Sequence, residues 1–143
     1  MSTPSNALQA AIYARLTGFS ALTALIGAGK VYDFVPQAAT APYVVIGDDT
    51  LTFEGTKTEN GWDCTLTIHC WDFEKAGRKS VKSILSAIYD ALHRQEASIA
   101  VTDFTLVELR SEFEETFQDT TVEGANDRFY HGVARYRALI ESI

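Results

Sequence analysis

The sequence predicts an α+β fold, and three observations carry that expectation. Apolar residues recur at helical spacing in two separate segments. The run "GWDCTLTIHCWD", residues 61 to 72, alternates strictly between apolar and polar. Two long β-prone runs near the end, "DFTLVELRSEFEETFQD" and "RFYHGVARYRALIE", are joined by "TTVEGAN" as a turn, which makes a long C-terminal β-hairpin over about residues 104–141.

The elements follow in chain order. Thr3-Pro4-Ser5 marks a helix start with hydroxyls placed to cap, and Leu8, Ile12, Leu16 and Phe19 form the apolar stripe of the first helix. Ser20 is placed to cap a shorter piece carrying Leu22, Leu25 and Ile26, which Gly27 and Gly29 stop. "KVYDFV" and "PYVVIG" are short β-prone runs on either side of a "PQAATAP" loop. "DDTLTFEGTKTEN" then reads as a long hairpin or a flexible loop anchored by Leu51 and Phe53. In the alternating strand, Trp62, Cys64, Leu66, Ile68 and Cys70 point one way, while Asp63, Thr65, Thr67, His69 and Trp71 point the other. Asp72 is placed to cap the next helix, whose stripe is Val81, Ile84, Leu85, Ile88 and Leu92. His93 and Arg94 suit the negative pole at its end.

In the hairpin, Thr105, Val107, Leu109, Phe113 and Phe117 are expected on one face of the first strand. Tyr130, Ala134, Tyr136, Ala138 and Ile140 share a face of the second. Strands of about 13 residues reach roughly 44 Å. A compact chain of 143 residues is under about 40 Å across, so the acidic far half of the hairpin, with Glu112, Glu114, Glu115, Asp119, Glu123 and Asp127, is expected to overhang as an arm that needs a partner.

Composition bounds the function. The length suits one domain spanning 1–143 and is enough for a core that needs neither disulfide nor metal. A net charge of −7 argues against gripping nucleic acid through its phosphates. No apolar run is long enough to span a bilayer, no secretion signal is expected at the N-terminus, and two cysteines fit a reducing compartment.

Cys64 and Cys70, six residues apart on one strand, stand about 20 Å apart, far beyond the reach of a disulfide or of shared metal ligation. "GAGK" at residues 27 to 30 lacks the first glycine, the final hydroxyl and the preceding strand of a phosphate-binding loop, and reads as a helix-ending turn. His69, His93 and His131 lie on two strands and a helix end without metal-ligand spacing. No catalytic, metal or cofactor site is expected, and the chain is read as not an enzyme. The acids Glu112, Glu114 and Glu115 fit a solvated strand face, pairing with a neighbouring subunit, or a repulsive lining beside DNA. Arg135 and Arg137 are placed to pair with them across the hairpin.

The order of elements, with "LQAAIYARLTGFSALTALIG", "KVYDFVPQAATAPYVVIG", "CTLTIHCWD", "GRKSVKSILSAIYDALH" and "RFYHGVARYRALI", resembles the tail terminator, or tail completion, proteins of long-tailed phages and phage-derived gene transfer agents. The similarity runs from about Leu8 to Ile140. It implies a largely antiparallel, or mixed, sheet packed against two main helices. It also implies a homo-hexameric ring in the virion that caps the head-proximal end of the tail tube. Its partners would be the major tail tube protein and a head completion or connector protein, with DNA passing through without specific binding and no membrane involved. No cofactor is implied. The resemblance marks the core and carries over no interface residues. On physical grounds the expected contacts are Phe113 and Phe117 on the arm, with Leu51 and Phe53 as a second contact. Ordinary core packing is the competing reading for these four. Glu112, Glu115, Arg135 and Arg137 would set register or partner choice. A head-completion or neck ring protein, a small acidic protein-binding module, and a thiol or metal enzyme around Cys64 or Cys70 are the alternatives.

Overall fold

A computed structural model describes residues 2–119 and 128–143. Its elements are helices α1 (Ser5–Thr17) and α2 (Ser20–Ile26), strands β1 (Val31–Tyr32), β2 (Tyr43–Phe53) and β3 (Gly61–Phe73), helix α3 (Arg78–Leu92), and strands β4 (Phe104–Asp119) and β5 (Phe129–Ser142). The strands form one mixed sheet in the order β1-β2-β3-β5-β4, parallel only between β1 and β2. The polar run after Asp48 is therefore a hairpin: it prolongs β2 as far as Phe53 and turns back into β3 at Gly61.

The helices cover one face of this sheet. Leu8, Ile12 and Leu16 of α1 and Val81, Ile84, Leu85, Ile88 and Leu92 of α3 are buried against Val44, Ile46, Leu66, Ile68, Ala134, Tyr136 and Ala138. Strand β3 alternates as its sequence dictates, with every even-numbered residue from Trp62 to Asp72 buried. Gly132 of β5 lets α3 approach closely: a Cβ there would stand 2.7 Å from Cys70 Sγ and 3.1 Å from Leu85 Cδ1. Arg15 ties α1 to the end of α3 by donating to the Ala91 carbonyl at 2.8 Å.

Several local expectations are corrected. Pro4 and Phe19 stand at the N-cap positions of α1 and α2, and neither helix receives a side-chain cap from the nearby hydroxyls. Asp72 does not cap α3 directly, because a 3-10 turn over Glu74–Ala76 intervenes. It is buried, accepting from the Phe73 backbone N–H and from the Ser80 hydroxyl. His93 and Arg94 turn to β4: Ser111 N–H donates to His93 Nδ1 at 3.0 Å, and Arg94 N–H donates to the Leu109 carbonyl at 2.9 Å.

The largest correction concerns β4. Two bulges interrupt its pairing with β5, between Leu106 and Glu108 and between Ser111 and Phe113. Each inserted residue flips the faces that follow. Leu106 and Leu109 are buried against the helices, whereas Thr105, Phe113 and Phe117 belong to the opposite face and Val107 is exposed within the first bulge. In β5 the expected face, with Ala134, Tyr136, Ala138 and Ile140, is buried. The hairpin is not a free overhang either. Strand β3 runs beside β5 for its whole length, from Gly61 opposite Glu141 to Phe73 opposite Phe129. The expected turn "TTVEGAN", with Glu123 and Asp127, lies outside the described residues.

Candidate interaction surface

The second face of the sheet carries no covering element among the described residues, and its side chains come from four strands. Its two ends differ in chemistry. At the end shared by Tyr43, Trp71, His131 and Phe117, rings cluster: Trp71 stacks on His131 at 4.2 Å between centroids, while Tyr43 is tilted against Trp71 at 5.4 Å and Phe117 against His131 at 4.7 Å. His69 Nδ1 and His131 Nε2 lie 2.8 Å apart. His131 Nδ1 lies 3.2 Å from Asp119 Oδ2, an electrostatic contact more than a well-directed hydrogen bond. Asp119 Oδ2 also lies 3.5 Å from the Trp71 indole N–H, and between His69 Nδ1 and His131 Nε2 one nitrogen donates and the other accepts. Burial pushes both histidines below their ordinary range. His69 feels Asp48 in the opposing sense, and Asp119 does the same for His131, while His69 adds to its lowering. Gly47 is what permits this placement of His69. A Cβ there would stand 2.7 Å from the imidazole.

The other end is ionic. Arg137 makes a two-pronged contact with Asp63 of β3, its Nε donating at 2.8 Å to one oxygen and Nη2 to the other. The hydrogen bonds from Arg137 hold the Asp63 carboxyl below the usual carboxylate range. Glu108 faces Arg94 at 3.4 Å and Arg110 at 3.2 Å.

The predicted contact residues are spread over this face and two edges. Arg135 does meet Glu112, at 3.8 Å, across the hairpin, but Arg137 turns to β3 instead of to the β4 acids. Phe113 is 49% exposed beside Arg135, and Glu115 is exposed opposite Val133. Phe117 is half-buried in the ring cluster. Leu51 and Phe53 lie on the helix side of β2 at its outer edge, with Phe53 57% exposed and edge-on to Trp62 at 6.0 Å. What the sequence did not reveal is that His69 and His131, 62 residues apart, face each other. Only the alternation that put His69 and Trp71 on the outer face hinted at it.

Nothing among the described residues prepares nucleophilic or metal chemistry. Cys64 and Cys70 are both buried, unpaired thiols, pushed up by burial to about 11 and about 12. No group of three or more histidine, cysteine, aspartate or glutamate side chains among the described residues could hold a metal ion. Gly27 and Gly29 take positive φ in a turn after α2, and Lys30 donates to the Thr40 hydroxyl at 3.3 Å. None of the described helices is long and apolar enough to cross a membrane.

The sheet thus has one face sealed by helices and one left uncovered by the described residues. The chain belongs to the tail completion protein gp17 family, which matches residues 10–141 and is a family of virion structural proteins, not of enzymes. A solved chain from the virion of a native gene transfer agent (GTA) particle is 28% identical and superposes with a TM-score of 0.83, over 99% of this chain and 100% of that one. No curated protein matches the chain.

Proposed function

We propose that this protein is a tail terminator. Six copies close into a ring on the head-proximal end of a phage-type tail tube, end polymerisation of the tube protein, and offer the joining surface for the head. The observation that carries this reading is the family match over residues 10–141 together with the likeness, over nearly the whole chain, to a GTA virion component. The mechanism is stoichiometric. One face of the ring fits the last tube ring, the other does not resemble a tube subunit, and growth stops. The net charge of −7 suits a ring through which DNA slides without being held. Leu51, Phe53, Phe113 and Phe117 supply apolar contact in this reading, while Glu112, Glu115, Arg135 and Arg137 set its register.

The test combines absolute mass by light scattering across concentrations with negative-stain imaging after addition of purified tail tubes. Rings, free or as a cap at one tube end, are the expected result. A protein that stays monomeric and leaves both tube ends bare at every concentration overturns the reading. Binding to portal-containing heads in place of tubes overturns it too, in favour of the neck protein.

A further inference from the structure

Each edge of the sheet is covered over a short stretch, and the open stretches Glu114 to Gln118 of β4 and Asp49 to Phe53 of β2 lie diagonally. On β4 the stretch around Leu109 and Ser111 is covered by the turn after α3, through the Arg94 N–H and His93 Nδ1 contacts. On β2 the stretch at Val44 and Val45 is covered by β1, with Val44 N–H donating to the Lys30 carbonyl at 3.0 Å. Among the described residues nothing pairs with the remaining outer edge of β4 from Glu114 to Gln118, nor with that of β2 from Asp49 to Phe53.

The backbone groups that face outward follow from register. Leu109 and Ser111 turn theirs out, and the bulge residue Glu112 shifts the alternation, so beyond it Glu114, Thr116 and Gln118 do so. On β2, Val44 faces out and Glu54 faces in, donating to the Gly61 carbonyl at 2.8 Å. With the bulge after Ile46, the outward residues are Asp49, Leu51 and Phe53. Both trios carry their side chains on the helix-covered face of the sheet, since Leu51 stands opposite the buried Cys64 and Glu114 opposite the buried Ala134.

Resting on the ring reading above, we infer that the open edge of β4, Glu114 to Gln118, adds to the open edge of β2, Asp49 to Phe53, of a second copy of this chain, continuing the sheet from subunit to subunit. Strand direction alternates across the sheet, so β4 of one copy meets β2 of a like-oriented neighbour antiparallel. The register is Glu114 opposite Phe53, Thr116 opposite Leu51 and Gln118 opposite Asp49. It satisfies about six outward backbone groups on each side and sets no two acids directly opposite each other between Glu114 and Gln118, with Asp119 coming level with Asp48 one step beyond. In a self-pairing of two β4 edges centred on Thr116, Glu114 would face Gln118, but Glu115 would lie diagonal to its own copy and to Asp119, which disfavours it. The joint is therefore heterologous, the kind that closes into rings.

The diagonal placement also sets a stagger. Leu51 is level with Leu109 across the sheet, through Cys64 and Ala138, yet it pairs with Thr116 of the neighbour. Less the bulge residue, that is a slip of roughly 20 Å along the strands, against a width of roughly 19 Å for the four strands β2 to β4. The strands then tilt by about 45°, at the upper end of the range in which sheets close on themselves. A flush joint is ruled out by β1 and by the turn after α3.

The test is a cysteine pair, Thr52→Cys with Glu115→Cys. These positions fall at a non-hydrogen-bonded pair of the proposed joint, where α-carbons about 4.5 Å apart suit a disulfide. The two native thiols are buried and stay out of the reaction. Protein assembled at high concentration or on tube ends is oxidised and run without reductant, beside the single variants and a displaced control, Thr52→Cys with Val107→Cys. A ladder of covalent oligomers from the first pair alone is expected. Rings or caps that form but yield no ladder overturn this joint while leaving the ring reading intact. An absence of rings and caps in the wild type overturns both. A second variant guards against a fortuitous cross-link. Thr116→Pro removes one outward N–H on an edge where proline is tolerated. The monomer's circular dichroism should be unchanged, and the concentration needed for assembly should rise by roughly tenfold or more. Assembly equal to that of Thr116→Ala overturns the proposal.

Discussion

Strand β3 has two faces made from the same backbone, and they obey different rules. Its even-numbered face, Trp62 to Asp72, meets the helices and excludes water. What counts there is volume, since each side chain fills a space that neighbours shape. Its odd-numbered face, Asp63 to Phe73, meets among the described residues the side chains of the flanking strands, and what counts there is partner identity: Arg137 for Asp63, His131 for His69 and Trp71. One face holds the fold. The other is left uncovered by the described residues.

The sharpest way to break this contrast is to truncate neighbouring residues on opposite faces. Ile68 is fully buried, so Ile68→Ala should cost about 2–5 kcal/mol, while Thr67→Ala should stay within about 0.5 kcal/mol. Urea denaturation of the two variants measures both, and equal losses would dissolve the distinction.

A second, smaller effect tests the aromatic end of the bare face. Both histidines are lowered below the ordinary value of 6.5, chiefly by burial. The unfolded chain therefore takes up protons more readily than the folded one. Stability should be complete above that value and should fall as pH drops below it toward the folded values. Tyr43, Asp48 and Asp119 are the titratable groups facing the pair. The urea midpoint of wild type should decline between about pH 7 and 5, and His69→Gln with His131→Gln should flatten that slope. An unchanged slope in the double variant would remove the histidines from the account.

The smallest effect belongs to the ionic end. Asp63 is lowered in the fold, so its contribution is present above the unfolded carboxylate range and is lost as pH falls through the folded value. Arg137→Ala should lower the melting temperature only slightly at neutral pH, and less in high salt, because the pair is partly exposed and screened. A large loss that salt does not reduce would mean that Arg137 matters through its packing instead.

Much of the helix-covered side was legible in the sequence because its signals are local. Period-2 alternation in β3 and the stripe Val81, Ile84, Leu85, Ile88 and Leu92 each arise within one element, and both are buried as that pattern requires. The faces of β4 were not legible. Val107 and Glu112 are each an extra residue against β5, and no composition signal marks a bulge whose cause is the fit to the partner strand. Strict alternation therefore placed Leu109 with Phe113 and Phe117, which lie on opposite faces of the sheet. The pairing of Arg137 was missed for the same reason: the choice between a β4 acid and Asp63 depends on which strand lies on each side of β5.

What the sequence determined by itself is the main helices and strands and the buried faces of β3 and α3, since hydrophobic period and chain length are properties of neighbours along the chain. The tertiary structure alone decided what faces what: His69 against His131, Gly47 under the imidazole, the turn after α3 across Leu109 and Ser111, and β1 across Val44 and Val45. These are contacts between residues far apart in sequence. Strand order and register set them, and no single segment encodes either.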